Sequence, residues 1–387
     1  MGPPEPSRSL LSNATREVRK SHLCHGSSAT GGDGPSAVLS AHIGPVSSLA
    51  LCGEFVLSAS QAKDIIVWRQ SDLSPFAKFG HGDGSVKALE AAGNRVFTAH
   101  QDGRIRVWKV SRRSENLFRL VAILPTRKDC IGKLLKRSNY VQTRRNHKRL
   151  WVEHADSISC LAVENGKVYS GSWDKTLKVW RAADLRCLES IKAHDDAING
   201  LAVYNGMVYT ASADGKIKVW EKSSDSHRLK GVMECRKLVS WNAVVLMEEG
   251  RLVYGGGSDG RVMGWGEEAG RGEWRLLCDV KAHEMSVLCL CGAGKFLCSG
   301  SADRSIGVWR REMDGEGLCR LRVLWGHEGP VKCLHSSWTC GGFWLYSGAT
   351  DKNLRVWWVS EEENRQPEED GDREGSAETD KKSAKEY

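Results

Sequence analysis

The chain has 387 residues, 40% hydrophobic and 27% charged, and its 56 Lys and Arg against 48 Asp and Glu leave a net charge of +8. That is too long for one small domain, too apolar for a disordered chain and too weakly basic for a polycationic nucleic-acid coat. No apolar run approaches the roughly 18 residues of a membrane-spanning helix, and thirteen Cys without one Cys-x-x-Cys spacing exclude a disulfide framework and a zinc site in favour of small buried thiols in the cytoplasm, the nucleus or both.

Residues 1–35 open with Met1-Gly2-Pro3-Pro4-Glu5-Pro6, which lacks the apolar core of a secretory signal, and read as a flexible segment. Residues 36–40 read as a short strand. Beyond them seven Trp recur in one context: Ile66-Val67-Trp68, Arg106-Val107-Trp108, Lys178-Val179-Trp180, Lys218-Val219-Trp220, Met263-Gly264-Trp265, Gly307-Val308-Trp309 and Arg355-Val356-Trp357. The steps between them are 40, 72, 40, 45, 44 and 48 residues, a period in the low forties with one long insertion in the second step.

Within a unit, apolar residues alternate with the strand period of two. The fourth unit runs from Ala197 to Val203, turns at Asn205-Gly206, runs from Val208 to Ser212, turns at Asp214-Gly215 and closes with Ile217 to Trp220. Both turns use residue pairs that tolerate positive φ. Three strands joined this way, plus one before the next unit, make a four-stranded antiparallel blade, and seven blades fall in the range that closes into a ring. The last unit lacks a fourth strand after Trp357-Trp358-Val359, so the strand at 36–40 is expected to supply it and remove the open edge. The expected fold is therefore an all-β, seven-bladed propeller over residues 36–360, monomeric, followed by an acidic, disordered tail at 361–387 with 11 acids against five bases.

Polar quartets are expected to hold each blade together. His154, Ser172, Asp174 and Trp180 recur as His194, Ser212, Asp214 and Trp220, and as His283, Ser301, Asp303 and Trp309, with 20 residues from His to Asp each time. The indole only donates, the carboxylate only accepts, and hydroxyl and imidazole bridge them; an unpaired buried member would cost about 1–3 kcal/mol. Elsewhere the set decays. Ala62 replaces Asp beside His42, Ser60 and Trp68; His100 takes the Ser place beside His81, Asp102 and Trp108; Ala349 takes it beside His327, Asp351 and Trp357; the fifth unit has Val239, Gly257, Asp259 and Trp265. Blades one and five are expected to be the softest.

The repeat resembles that of WD40 proteins. More narrowly, the stretches Thr98 to Trp108, Asn139 to Gln142, Trp151 to Leu161, Ser172 to Trp180 and Cys187 to Ala197 resemble those of plant JINGUBANG-type WD40 proteins, over roughly residues 40–360. That resemblance implies a plant regulatory protein without enzymatic activity, in a family associated with restraining pollen germination.

The insertion at 112–149, placed with blade two, holds 12 Lys and Arg against Glu115 and Asp129, so the rest of the chain is nearly neutral. Such a segment fits an acidic protein partner, nucleic-acid phosphates, anionic lipid, or nuclear import through Arg144, Arg145, Lys148 and Arg149; a solvated loop is the plain alternative. Its face depends on whether Leu150-Trp151-Val152 or Phe118–Leu124 is the fourth strand of blade two, and both read as strands. Trp173, between Ser172 and Asp174, points away from the quartet at a turn and is a candidate partner anchor. No nucleophile elbow, phosphate loop or metal cluster appears, so the expectation is no enzyme, cofactor or metal. The seven repeat Trp are followed by Arg69, Lys109, Arg181, Glu221, Gly266, Arg310 and Trp358, never Asp, which disfavours a ubiquitin-ligase substrate receptor.

Overall fold

Alternation and turn chemistry become strands as expected. The computed structural model describes residues 34–80, 84–111, 117–144, 147–224, 226–234, 239–267, 273–312 and 317–361. Seven four-stranded antiparallel sheets form, six of them hydrogen-bonded in chain order and the seventh completed by the first strand of the chain. The third blade, for example, comprises Ile158–Glu164, Lys167–Ser172, Thr176–Arg181 and Cys187–Lys192. Its first turn, Asn165-Gly166, holds φ of 48° and 71°, and Asn205-Gly206 repeats this at 49° and 78°, the left-handed pair that matches strand twist.

Seven apolar clusters lie between neighbouring blades rather than within them. Trp180 of the third blade packs with Phe97, Ile105 and Leu124 of the second, and Leu39, Val46 and Tyr346 join the seventh to the first. The ring is closed. Ala37–Ser40 pairs antiparallel with Asn353–Ser360, Ala37 opposite Val356 and Ser40 opposite Asn353, and so completes the seventh sheet. Of the ends read as flexible, 1–35 and 361–387, residues 1–33 and 362–387 lie outside the described residues.

Each first strand carries a bulge near its start, as between Ile158 and Cys160. The bulged side chain crosses to a carbonyl of the next blade: Ser47 to Val86 (2.8 Å), Ser159 to Ile198, Asn199 to Trp241 (3.0 Å) and Asn242 to Val287 (2.9 Å). Blades two and seven place Lys87 and Lys332 there instead.

The ladder decides the strand that sequence left open. Phe118–Leu124 is the fourth strand of blade two, with Leu124 opposite Ile105. Leu150 instead ends a separate hairpin, opposite Tyr140, so Leu150-Trp151-Val152 is not a blade strand. The main insertion therefore spans 125–150 and joins blade two to blade three. It lies at the end of the propeller that bears the His loops.

Candidate docking face

The polar quartets fix this face. In the third blade the Trp180 indole donates to Ser170 Oγ (2.9 Å), Ser170 meets His154 Nε2 (2.8 Å), and His154 Nδ1 faces Asp174 (3.0 Å). Because the carboxylate can only accept, Nδ1 carries the ring proton, so Nε2 accepts from the Ser170 hydroxyl, which in turn accepts the indole N–H. The fourth blade runs Trp220, Thr210, His194, Asp214; the sixth Trp309, Ser299, His283, Asp303; the seventh Trp357, Ser347, His327, Asp351.

The hydroxyl is thus not the one the sequence suggested. Ser172, Ser212 and Ser301 lie two residues too far along. Period two puts both candidates on one side of the strand, but Ser172 occupies the last rung, level with the turn. There it accepts from Asp174 N–H (3.1 Å) and donates to the Asp156 carbonyl (3.2 Å), and Ser212 and Ser301 do the same in their blades. The correction changes the degenerate units too. Ser347, not Ala349, is the seventh hydroxyl, so that quartet is complete. Ser58, not Ser60, links Trp68 (2.7 Å) to His42 (2.7 Å), with no Asp beyond. In blade two Trp108 donates to Thr98, and His100 is the imidazole rather than the hydroxyl stand-in; Asp102 pairs with Arg106 (2.7 Å). His81 lies outside the described residues.

Burial pulls the His154, His194 and His283 pKa values down, so these rings are neutral. Burial alone would raise Asp174, but the hydrogen bonds it accepts from His154, Thr176 and the Ala155 N–H outweigh that and hold it below the usual carboxylate range. Burial, then the nearby Lys78, lowers His42 to about 4; burial, then Arg106, does the same to His100.

Against this frame the insertion is docked, not loose. Thr126 caps the helix Arg127–Leu134, accepting from Asp129 N–H (3.2 Å). The buried Asp129 carboxylate accepts the Cys187 N–H (2.9 Å), capping the outer strand of blade three. The hairpin Tyr140–Arg144/His147–Leu150 follows, with Arg144 opposite His147 and Arg149 opposite Val141. Leu150 and Val152 are buried between blades two and three, and Lys178 donates to the Trp151 carbonyl and to Ser190.

Blades diverge outward, and hairpin and blade three leave a cleft of about 700 Å³ between them, walled by Gln142, Arg149, Trp151, Trp173, Lys175 and Lys192. Two of the candidate residues, Trp173 and Arg149, therefore share one cleft. Trp173 is 43% exposed, its backbone N–H donating to the Ser157 carbonyl (3.0 Å) and Lys87 Nζ lying 5.6 Å from its ring centre. Arg149 donates to the His154 carbonyl (3.1 Å). Lys148 is exposed and pairs in register with Gln142; Arg145 lies outside the described residues. Ile43, Met285 and Trp325, all exposed, stand in loops entering the first strands at this same end. Sequence reasoning passed over these three because nothing in the repeat separates a loop apolar residue from a strand one. Among the described residues no cluster of three His, Cys, Asp or Glu fits a metal, and no helix is long and apolar enough to cross a membrane.

The WD40 family profile (WD domain, G-beta repeat) matches residues 73–109, 146–181, 185–221, 274–310 and 318–357. The small ribosomal subunit protein RACK1y of Oryza sativa is 27% identical over 216 residues, 54% of this chain and 49% of that protein. A zinc finger CCCH domain-containing protein of Arabidopsis thaliana is 29% identical over 111 residues, 29% of this chain and 18% of its own length. An F-box/WD-40 repeat-containing protein of the same plant is 25% identical over 108 residues, 28% of this chain and 16% of its own. The chain spans about half, or less, of these curated relatives. Such propellers are in general non-enzymatic platforms for protein interaction. Seven sheets, the four complete indole-to-carboxylate quartets and the matched repeats together make this chain a WD40-repeat protein.

Proposed function

We propose that the chain is a monomeric, non-enzymatic scaffold that docks protein partners on the face bearing the His loops, with the cleft beside the inserted hairpin as the principal site. One observation carries this reading: a half-exposed indole, Trp173, walls a cleft of about 700 Å³ whose other side is the basic hairpin. A rigid ring presenting an aromatic anchor beside charged groups is the arrangement that concentrates binding energy in few residues. Arg144, Arg145, Lys148 and Arg149 then steer acidic partners and set their orientation. We further read the chain as a plant regulator of the JINGUBANG type, acting in cytoplasm or nucleus on pollen germination or a similar developmental step. The quoted sequence stretches support that reading.

Affinity capture with the full chain tests the docking site. Trp173→Ala is expected to lose the partners that wild type recovers, with a shallow dependence on salt. Recovery unchanged by Trp173→Ala overturns it. A steep salt dependence abolished by neutralising Arg144 and Arg145 would replace it with direct phosphate binding.

A further inference from the structure

The insertion helix is amphipathic in the inverted sense. A surface helix ordinarily turns its apolar stripe toward the core. Arg127–Leu134 turns an ion pair inward beside the small Cys130, which packs on the core between blades two and three: Asp129 is buried against the Cys187 N–H, and Lys133 pairs with Asp129 and lies 4.7 Å over the Trp151 ring. Ile131, Leu134 and the C-cap residue Leu135, which keeps helical φ and ψ of −79° and −19°, share the outward face at i, i+3 and i+4 spacing. They are 64%, 49% and 97% exposed, and Leu135 is the most exposed large hydrophobic among the described residues.

Charge completes the pattern. Arg127, Lys128, Lys136 and Arg137 surround this ridge and are all exposed. Residues 125–149 contain nine basic side chains and one acid, and that acid, Asp129, is the buried, inward one. The outward surface is therefore aliphatic and cationic together.

The ridge is convex, so its occupant must envelop it. The cleft beside Trp173 offers a peptide two walls; this helix offers none. A bilayer interface accepts protruding aliphatic tips at the acyl boundary while lipid phosphates and carboxylates meet the flanking cations. We infer that the insertion helix is a reversible contact for an anionic membrane surface, with Ile131, Leu134 and Leu135 entering the interface and Arg127, Lys128, Lys136 and Arg137 meeting the headgroups. None of the three aliphatic residues lines the Trp173 cleft, so this goes beyond the docking reading and leaves that cleft free on a membrane-bound molecule.

Co-sedimentation of the full chain with extruded vesicles tests it, comparing pure phosphatidylcholine with a three-to-one mixture of phosphatidylcholine and phosphatidylserine. The protein is expected to sediment with the anionic vesicles alone and to be released by salt. Ile131→Ser with Leu135→Ser should lower the partition coefficient about tenfold or more, and Lys128→Gln with Lys136→Gln roughly fivefold per charge removed. Both pairs are exposed, and unchanged thermal unfolding of the variants confirms an intact ring. Trp173→Ala should bind vesicles like wild type even if it loses its partners, which separates the two readings. Three results overturn the inference: no preference for phosphatidylserine; full binding by the Ile131/Leu135 variant, which would mean headgroup electrostatics without insertion of the ridge; or loss of protein partners by that variant without any vesicle binding, which would make the ridge a protein interface.

Discussion

The third and fifth blades solve one packing problem in different ways. In the third, the wedge toward the preceding blade is filled by Trp180, Ser170, His154 and Asp174, every polar atom handed to the next. In the fifth, Gly255 stands ten residues before Trp265, where the hydroxyl belongs, and Val239 replaces the imidazole. Trp241 takes the space. Its ring meets Trp265 edge-on at 5.5 Å, and its indole N–H reaches the Gly215 carbonyl of blade four (2.9 Å). A side chain on Gly255 would come within 2.7 Å of Ile217 and 3.0 Å of the Trp241 ring. The wedge is filled in both blades, in the fifth by aromatic packing in place of a polar relay.

The comparison breaks most visibly at Trp241. Trp241→Ala removes a fully buried indole and should destabilise the protein by about 3–5 kcal/mol, read from the midpoint of denaturant unfolding. A loss under about 1 kcal/mol would show that the aromatic pair does not hold the fifth blade. A smaller effect sharpens the third. Ser170→Ala leaves the Trp180 and His154 nitrogens without their hydroxyl and should cost about 2–3 kcal/mol, whereas Ser172→Ala removes only a turn cap and should cost about 1 kcal/mol. The opposite order of the two losses would restore Ser172 to the relay.

What was legible in the sequence follows from the same physics. The period, the blade count and the closing strand could be read because each rests on a spacing: Trp to Trp, apolar to apolar, turn pair to turn pair. The hydroxyl could not be fixed by alternation, since Ser170 and Ser172 share a strand face; only the distance from the indole separates them, and it is ten residues in each hydroxyl-bearing blade. Trp241 carried no signal, because it stands where other first strands hold Val or Ile and its partner lies in another strand. The anchoring of the insertion was equally hidden. Asp129 meets Cys187 across 58 residues, a contact that no local pattern announces.

A pH-dependent effect, well below that of Trp241, sets blade one apart from blade five. Among the described residues no carboxylate is hydrogen-bonded to His42, and burial, then the nearby Lys78, outweigh the opposing pull of Asp64 and bring its pKa from 6.5 to about 4. The unfolded chain therefore takes up a proton near pH 6.5 that the folded chain refuses until about pH 4. Its contribution is fully present above pH 6.5 and is lost as pH falls from there toward 4. Between pH 7 and 5 this amounts to roughly 1–2 kcal/mol for one ring. Blade five, with Val239 in the imidazole position, has nothing to titrate there. His42→Asn should thus flatten the fall in stability between pH 7 and 5 by roughly that amount, while Trp241→Ala lowers stability equally at both. If His42→Asn leaves the pH dependence as steep as in wild type, the ring is not held neutral by its surroundings, and blade one differs from blade five in hydrogen bonding but not in titration.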